Sequence, residues 1–194
     1  DNTVGIIMPC SSKRNFGQDA EDARIAADQY GIETRFIDLT PVREAEMRQL
    51  SSLTKVTPAA AVNIAPRLRM TTLYAVAASE GRLVAGTGNR SEAYVGYFTK
   101  WGDGAHDFNP ISDLTVTEIY EFLRYLDAPA CIIEKAPSAG LFDGQTDEAD
   151  MGLKYADLDE YILTGHTNEK AAATIERLHR NSRHKRDGIA RFSR

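Results

Sequence analysis

The sequence predicts an α/β protein, a parallel sheet with helices on both faces. Three observations carry that expectation. Short apolar runs recur at residues 4–8, 32–38 and 83–86. Between them lie segments with apolar residues at helical spacing, and Gly or Pro closes most of the pieces. Strands alternating with helices are the pattern of parallel pairing. Ligands of such sheets gather beyond the carboxyl ends of the strands, where Pro9, Asp38 and Gly86 fall.

In chain order, residues 4–8 (Val-Gly-Ile-Ile-Met) read as a buried strand closed by Pro9. From 18 to 30, Ala20, Ala23, Ala27 and Tyr30 mark a helix, and Gly31 is a natural stop. Residues 32–38 form the second strand. Segment 41–62, with Ser51-Ser52 and Pro58, reads mostly as loop. Residues 64–79 are a helix with Leu68, Thr72 and Ala75 inward, and 83–86 a third strand. A helix starts at Asn89. Thr115 and Glu118 have capping-box spacing. Behind them Ile119, Phe122, Leu123 and Leu126 make an amphipathic face that ends at Asp127-Ala-Pro129. Residues 137–152 are a long polar loop, 155–163 a short acidic helix, and Ala171, Ile175 and Leu178 mark the last helix. It leads into a basic tail, 179–194.

At 194 residues the chain is expected to be one domain, 1–194, with a sizeable core. A net charge of -5 argues against a general nucleic-acid surface. No apolar run approaches the ~18 residues of a membrane span, so no membrane partner is expected. Cys10 and Cys131 suggest neither a disulfide framework nor a metal site. A reducing, cytoplasmic setting fits. The chain opens on a core strand, which predicts that something belongs upstream.

The chemistry concentrates in Gly86-Thr-Gly-Asn-Arg-Ser-Glu92 and the following residues 95–107. Glycines let backbone approach a ligand. Thr87 offers a hydroxyl, Glu92 a hard oxygen for magnesium, Lys100 a cation, and Asp103 and Asp107 carboxylates. Each has a plainer reading: Glu92 as a helix-dipole complement, the others as a solvated loop. His106 reads as a satisfied surface or pocket histidine rather than a ligand. Arg67 and Arg69 point to nearly opposite sides of a helix, so at most one faces a site. Arg67 aligns with Thr71 and Tyr74. The cluster 183–186 is either a solvated tail or a flap closing over phosphates. The loop at 137–148 is either an active-site loop or an acidic surface loop.

These segments together resemble the ammonia-dependent NAD synthetases. The resemblance rests on residues 86–92, on 96–104 (Gly-Tyr-Phe-Thr-Lys-Trp-Gly-Asp-Gly), and on Lys135-Ala-Pro-Ser-Ala139. Gln145-Thr-Asp-Glu148 and Arg183-His-Lys-Arg186 complete it. It covers nearly the whole chain. It implies an adenine nucleotide alpha-hydrolase-like, Rossmann-like fold, usually a homodimer, and ATP-dependent amidation of deamido-NAD by ammonia through an NAD-adenylate. It also implies ATP contacts at Thr87 and Ser138, and magnesium (Mg2+) on Glu92. Deamido-NAD would meet Arg67, Lys100, Asp107, His184 and Lys185. Asp103 is the candidate for handling ammonia, because a carboxylate binds ammonium and takes its proton.

Two departures stand out. Where the family often has a phosphate-binding Lys, this chain has Val116, and Arg67 or a second subunit is the expected compensation. The family's pyrophosphate loop, Ser-Gly-Gly-Xaa-Asp-Ser, does not occur in these residues, and in family order it would precede Asp1. Two other readings stay open: a non-catalytic ATP or dinucleotide-binding module, and another ATP pyrophosphatase with a different substrate.

Overall fold

The computed structural model describes residues 2–142 and 144–192. Asp143, in the expected loop, and the last two residues of the tail lie outside the described residues. Strand β1 (Val4–Ile7) pairs in parallel with β2 (Glu33–Phe36), Val4 facing Glu33 and Ile7 facing Phe36. The ladder runs on past both, from Ile37 N–H to Ile7 O and from Leu39 N–H to Pro9 O. Between the strands stand α1 (Lys13–Phe16) and α2 (Gln18–Tyr30). Helix α2 turns Ala20 and Ala27 inward, packs against both strands and stops at Gly31 in the left-handed region. A parallel pair needs such a crossover.

Segment 41–62, expected as loop, is helical: α3 (Thr40–Leu53) and α4 (Pro58–Val62). Pro41 sits in the first turn of α3, where its missing N–H costs nothing. No residue of α3 is fully buried, so no apolar stripe announced it. Helix α5 (Ile64–Glu80) follows and ends at Gly81. The strand expected at 83–86 shrinks to one parallel bridge, Ala85 to Phe108, flanked by bonds from Gly86 N–H to Phe108 O and from Asp107 N–H to Val84 O.

The second half is helical: α6 (Arg90–Val95), α7 (Val116–Tyr125), α8 (Ala130–Ile133), α9 (Asp147–Met151), α10 (Tyr155–Thr164), α11 (Glu169–Asn181) and α12 (Arg183–Arg186). Helix α9 lies inside the expected loop 137–152 and starts on Thr146, whose side chain accepts from Ala149 N–H. Helices α6, α7, α10 and α11 enclose the larger core of Val95, Val116, Met151, Leu153, Tyr155, Leu158, Ala171 and Ile175. A smaller core, Cys10, Leu39 and Ala65, lies beyond the end of β1, with Met8 and Leu68 against it. Both cysteines are free. Among the described residues no helix is long and apolar enough to cross a membrane.

Candidate active site

Two cavities draw their walls from neighbouring stretches of the chain. The larger, about 540 Å³, is lined by Met8, Arg69, Thr87, Asp103, Gln145 and Lys185, among others. The smaller, about 240 Å³, is lined by Glu92, Val116, Lys135, Ser138 and Tyr155, among others. Segments 86–92 and 138–139 contribute to the walls of both.

Glu92 belongs to the first turn of α6. Asn89 caps that helix, accepting from Glu92 N–H at 2.9 Å, and Glu92 Oε2 accepts from Asn89 N–H at 2.9 Å. The capping box fixes the carboxylate at the cavity wall. Burial pushes its pKa up to about 7, and the charges of Asp147 and Asp103 add to the shift. A half-buried carboxylate beside two others favours a cation. Magnesium takes one or two carboxylates plus phosphate oxygens and waters, so Glu92 fits that role. Among the described residues no group of three or more His, Cys, Asp or Glu converges as a metal cage.

Asp103 forms a tight turn at 99–104. Its Oδ1 accepts from Thr99 N–H at 3.0 Å, while Gly102 N–H bonds Thr99 O at 2.9 Å. Its carboxylate thereby faces the larger cavity. Lys185 reaches in from α12 and donates to Gly96 O at 2.6 Å and Phe98 O at 2.5 Å. Burial lowers its pKa, opposed by the charge of Asp103. Gly96 lets α12 close. It sits at φ +71°, and a β-carbon there would stand 2.1 Å from Ser182 Cβ.

The structure brings together Arg67, Lys100, His184 and Lys185. Arg67 donates to Lys100 O at 3.3 Å, and Lys100 Nζ donates to His184 O at 2.5 Å. The basic tail is therefore docked on the 96–100 segment rather than simply solvated. Asp107 stands apart from this group. Its Oδ2 accepts from Val84 N–H at 2.7 Å and its Oδ1 from Tyr74 OH at 3.3 Å. His106 is exposed and lines neither cavity; its ring fills the space where a β-carbon of Gly86 would be, at 2.5 Å.

Several site residues escaped sequence reasoning. Arg69 lines the larger cavity, donating to Met8 O and Asn15 Oδ1, each at 3.0 Å. It follows Leu68 and stands four residues beyond buried Ala65, so the helical face gave a usable signal. Val116 is a core residue whose N–H donates to Ser91 Oγ at 3.1 Å. Arg67 does not compensate for it, because it lies by Lys100, away from the smaller cavity. Among the described residues the cation lining that cavity is Lys135, held by Asp19 at 2.6 Å and Asp22 at 2.7 Å.

The sequence model of the NAD synthase family matches residues 1–188. The chain belongs to the NAD synthase family. Its relatives include the NH(3)-dependent NAD(+) synthetase of Carboxydothermus hydrogenoformans, 48% identical over 188 residues, which cover 96% of this chain and 76% of that protein. The corresponding protein of Alkaliphilus oremlandii is 43% identical, again over 96% of this chain and 76% of its own length. Among solved structures, an NMN synthetase from Francisella tularensis superposes with TM-score 0.92 at 38% identity, covering 97% of this chain and 78% of that one. An NH3-dependent NAD synthetase from Campylobacter jejuni gives TM-score 0.74 at 29% identity, covering 98% and 78%. The α/β class with parallel pairing is thus borne out, and the fold is the Rossmann-like adenine nucleotide alpha-hydrolase fold of this family.

Proposed function

We propose that this NAD synthase family member is a carbon–nitrogen ligase that amidates deamido-NAD with ammonia at the expense of ATP. A carboxylate is a poor acyl donor until it carries a good leaving group. The nicotinate carboxylate attacks the α-phosphorus, the bond to the β-phosphate oxygen breaks, and pyrophosphate leaves. Ammonia then adds to the activated acyl carbon, AMP departs with its oxygen, and the amide nitrogen gives up a proton. Before that addition Asp103 binds ammonium and takes its proton, freeing the nucleophile, and the proton later lost by the amide nitrogen passes to solvent. Thr87 and Ser138 contact ATP. Lys185, Lys100, Arg67 and His184 hold the dinucleotide's charge as α12 closes, and Asp107 supports the same substrate. Glu92 would hold magnesium, which would supply charge neutralisation at the phosphates. Residues 1–194 act as one domain of a cytoplasmic homodimer.

The observation that carries this reading is the meeting, around the two cavities, of segments far apart in sequence: 86–92, 96–104, 135–139, 145–148 and 183–186. Pyrophosphate release by the full chain is expected only with both ATP and deamido-NAD, and amide only with ammonium added. Pyrophosphate release from ATP alone, or none under any condition from a chain that carries the family's pyrophosphate loop, overturns the proposal.

A second reading is favoured by the higher TM-score and identity to the NMN synthetase. In it the acceptor is nicotinate mononucleotide, whose reacting carboxylate is the same. The ratio of kcat/KM for the two acceptors decides between them.

A further inference from the structure

The segment carrying Ser138 is gripped by one neighbour from two directions. Asp147, the first residue of α9, is 3% exposed. Its N–H donates to Pro137 O at 3.0 Å, and its Oδ1 accepts from Ala139 N–H at 3.1 Å. Ser138 lies between those two fixed residues. The second carboxylate oxygen, Oδ2, accepts from Tyr155 OH at 3.0 Å. Tyr155 opens α10 and is part of the larger core. Core, acid and loop thus form one chain of contacts. Beyond it the loop has a separate fastening: Gln145 Oε1 accepts from Leu141 N–H at 2.8 Å, and Gln145 Nε2 donates to Asp150 at 2.6 Å.

A buried acid opposes folding unless its hydrogen bonds offset the desolvation. Among the described residues no basic side chain is bonded to Asp147; burial raises its pKa and the nearby Asp150 charge raises it further. An apolar residue would fill the volume at less cost but would leave the Ala139 N–H unheld. What the carboxylate adds is position at the peptide N–H that follows Ser138, while the backbone N–H of Asp147 holds the carbonyl that precedes it.

We propose that Asp147 is the positioning residue for the ATP-contacting Ser138, with Tyr155 fixing its carboxylate. The inference rests on the amide-ligase reading above. Steady-state kinetics of the full chain test it, with ATP, deamido-NAD and ammonium varied in turn. Asp147→Ala is expected to raise KM for ATP about tenfold and leave KM for ammonium within about twofold, the scale of a lost charged hydrogen bond. Asp147→Asn keeps an oxygen for Ala139 N–H and a donor for the Tyr155 hydroxyl oxygen, so it should recover most of the loss. Ser138→Ala should add little on top of Asp147→Ala, because a misplaced hydroxyl has nothing left to lose.

A wild type that carries the pyrophosphate loop and shows no turnover on either acceptor overturns the ligase reading, and this inference with it. An active wild type overturns the inference alone in three cases: KM for ATP unchanged in Asp147→Ala, Asp147→Asn as impaired as Asp147→Ala, or independent effects of the Ser138 and Asp147 changes. If Asp147→Ala does not fold, Asp147→Asn and Tyr155→Phe decide. The first should stay near wild type, and the second should raise KM for ATP severalfold with ammonium unaffected. Any other order of the two overturns the proposal.

Discussion

The carboxylates of the site are the residues whose neighbourhoods say most. Glu92 is raised to about 7 by burial first and by Asp147 and Asp103 after it. A glutamate in the unfolded chain titrates near ~4.3. The folded state therefore binds more protons between those two values, and stability falls as pH rises through that window. Between pH 5 and pH 7.5 the loss from this one group is roughly 2–3 kcal/mol, from the size of the shift. Urea titrations in EDTA at pH 5 and pH 7.5 should show it. Glu92→Gln should flatten the slope, and millimolar magnesium should restore stability at pH 7.5 in the wild type only. An unchanged slope in Glu92→Gln would remove Glu92 as its source. Asp103 invites a different measurement. Asp103→Asn keeps an oxygen for Thr99 N–H, so the turn should stand. Amide formation should nonetheless fall by ~10²-fold at low ammonium and partly recover at high pH, where more of the ammonium is already deprotonated to ammonia. Normal turnover at low ammonium would end its assignment to proton transfer. Residue types were legible here, but their partners were not. Nothing near position 107 in the sequence reveals that Asp107 ties down Val84 N–H.

Among the elements, α7 was the most legible and α3 the least. Thr115 and Glu118 form the capping box that their spacing predicted, with bonds of 2.7 Å and 3.4 Å. The stripe Ile119, Phe122, Leu123 and Leu126 is less buried than expected, with Phe122 and Leu126 over 40% exposed. Helix α3 offers no fully buried face, and its Pro41 resembles a breaker until the register of the first turn is known. What sequence could not show for α7 is its external cap. Asp159 of α10 is 2% exposed and accepts from Ser91 Oγ at 2.5 Å and from Thr117 N–H and Oγ1, each at 2.8 Å. Ser91 in turn accepts from Val116 N–H. Position 116 is thereby committed to the core and to this network, a physical reason why an apolar side chain suits it. Asp159→Ala strands these donors and should cost about 3 kcal/mol, against about 1 kcal/mol for Asp159→Asn, which keeps one acceptor. Equal midpoints for the two variants in urea would mean that the network is not what holds the start of α7.

For the whole molecule the consequential feature is the return of the chain's last helices onto its middle. Alternating strand and helix signals gave the class, and the motif order gave the site, because both are local in sequence. Contacts between Lys185 and Gly96, or Lys100 and His184, span more than 80 residues and leave no local trace. Two substitutions separate this docking from the stability of the core. Ile175 is fully buried in the larger core, so Ile175→Ala should lower global stability by about 3 kcal/mol through a cavity. It should accelerate trypsin cleavage throughout the chain. Gly96→Ala introduces a methyl into the contact with Ser182 at a positive φ. That strain can be relieved by releasing α12 while α11 stays anchored by Ala171 and Ile175. The expected result is fast cleavage confined to Arg183, Lys185 and Arg186, a raised KM for deamido-NAD, and a small drop in Tm. If Gly96→Ala is cut at the wild-type rate in the tail, or is cut everywhere as Ile175→Ala is, the tail is not an independently docking element.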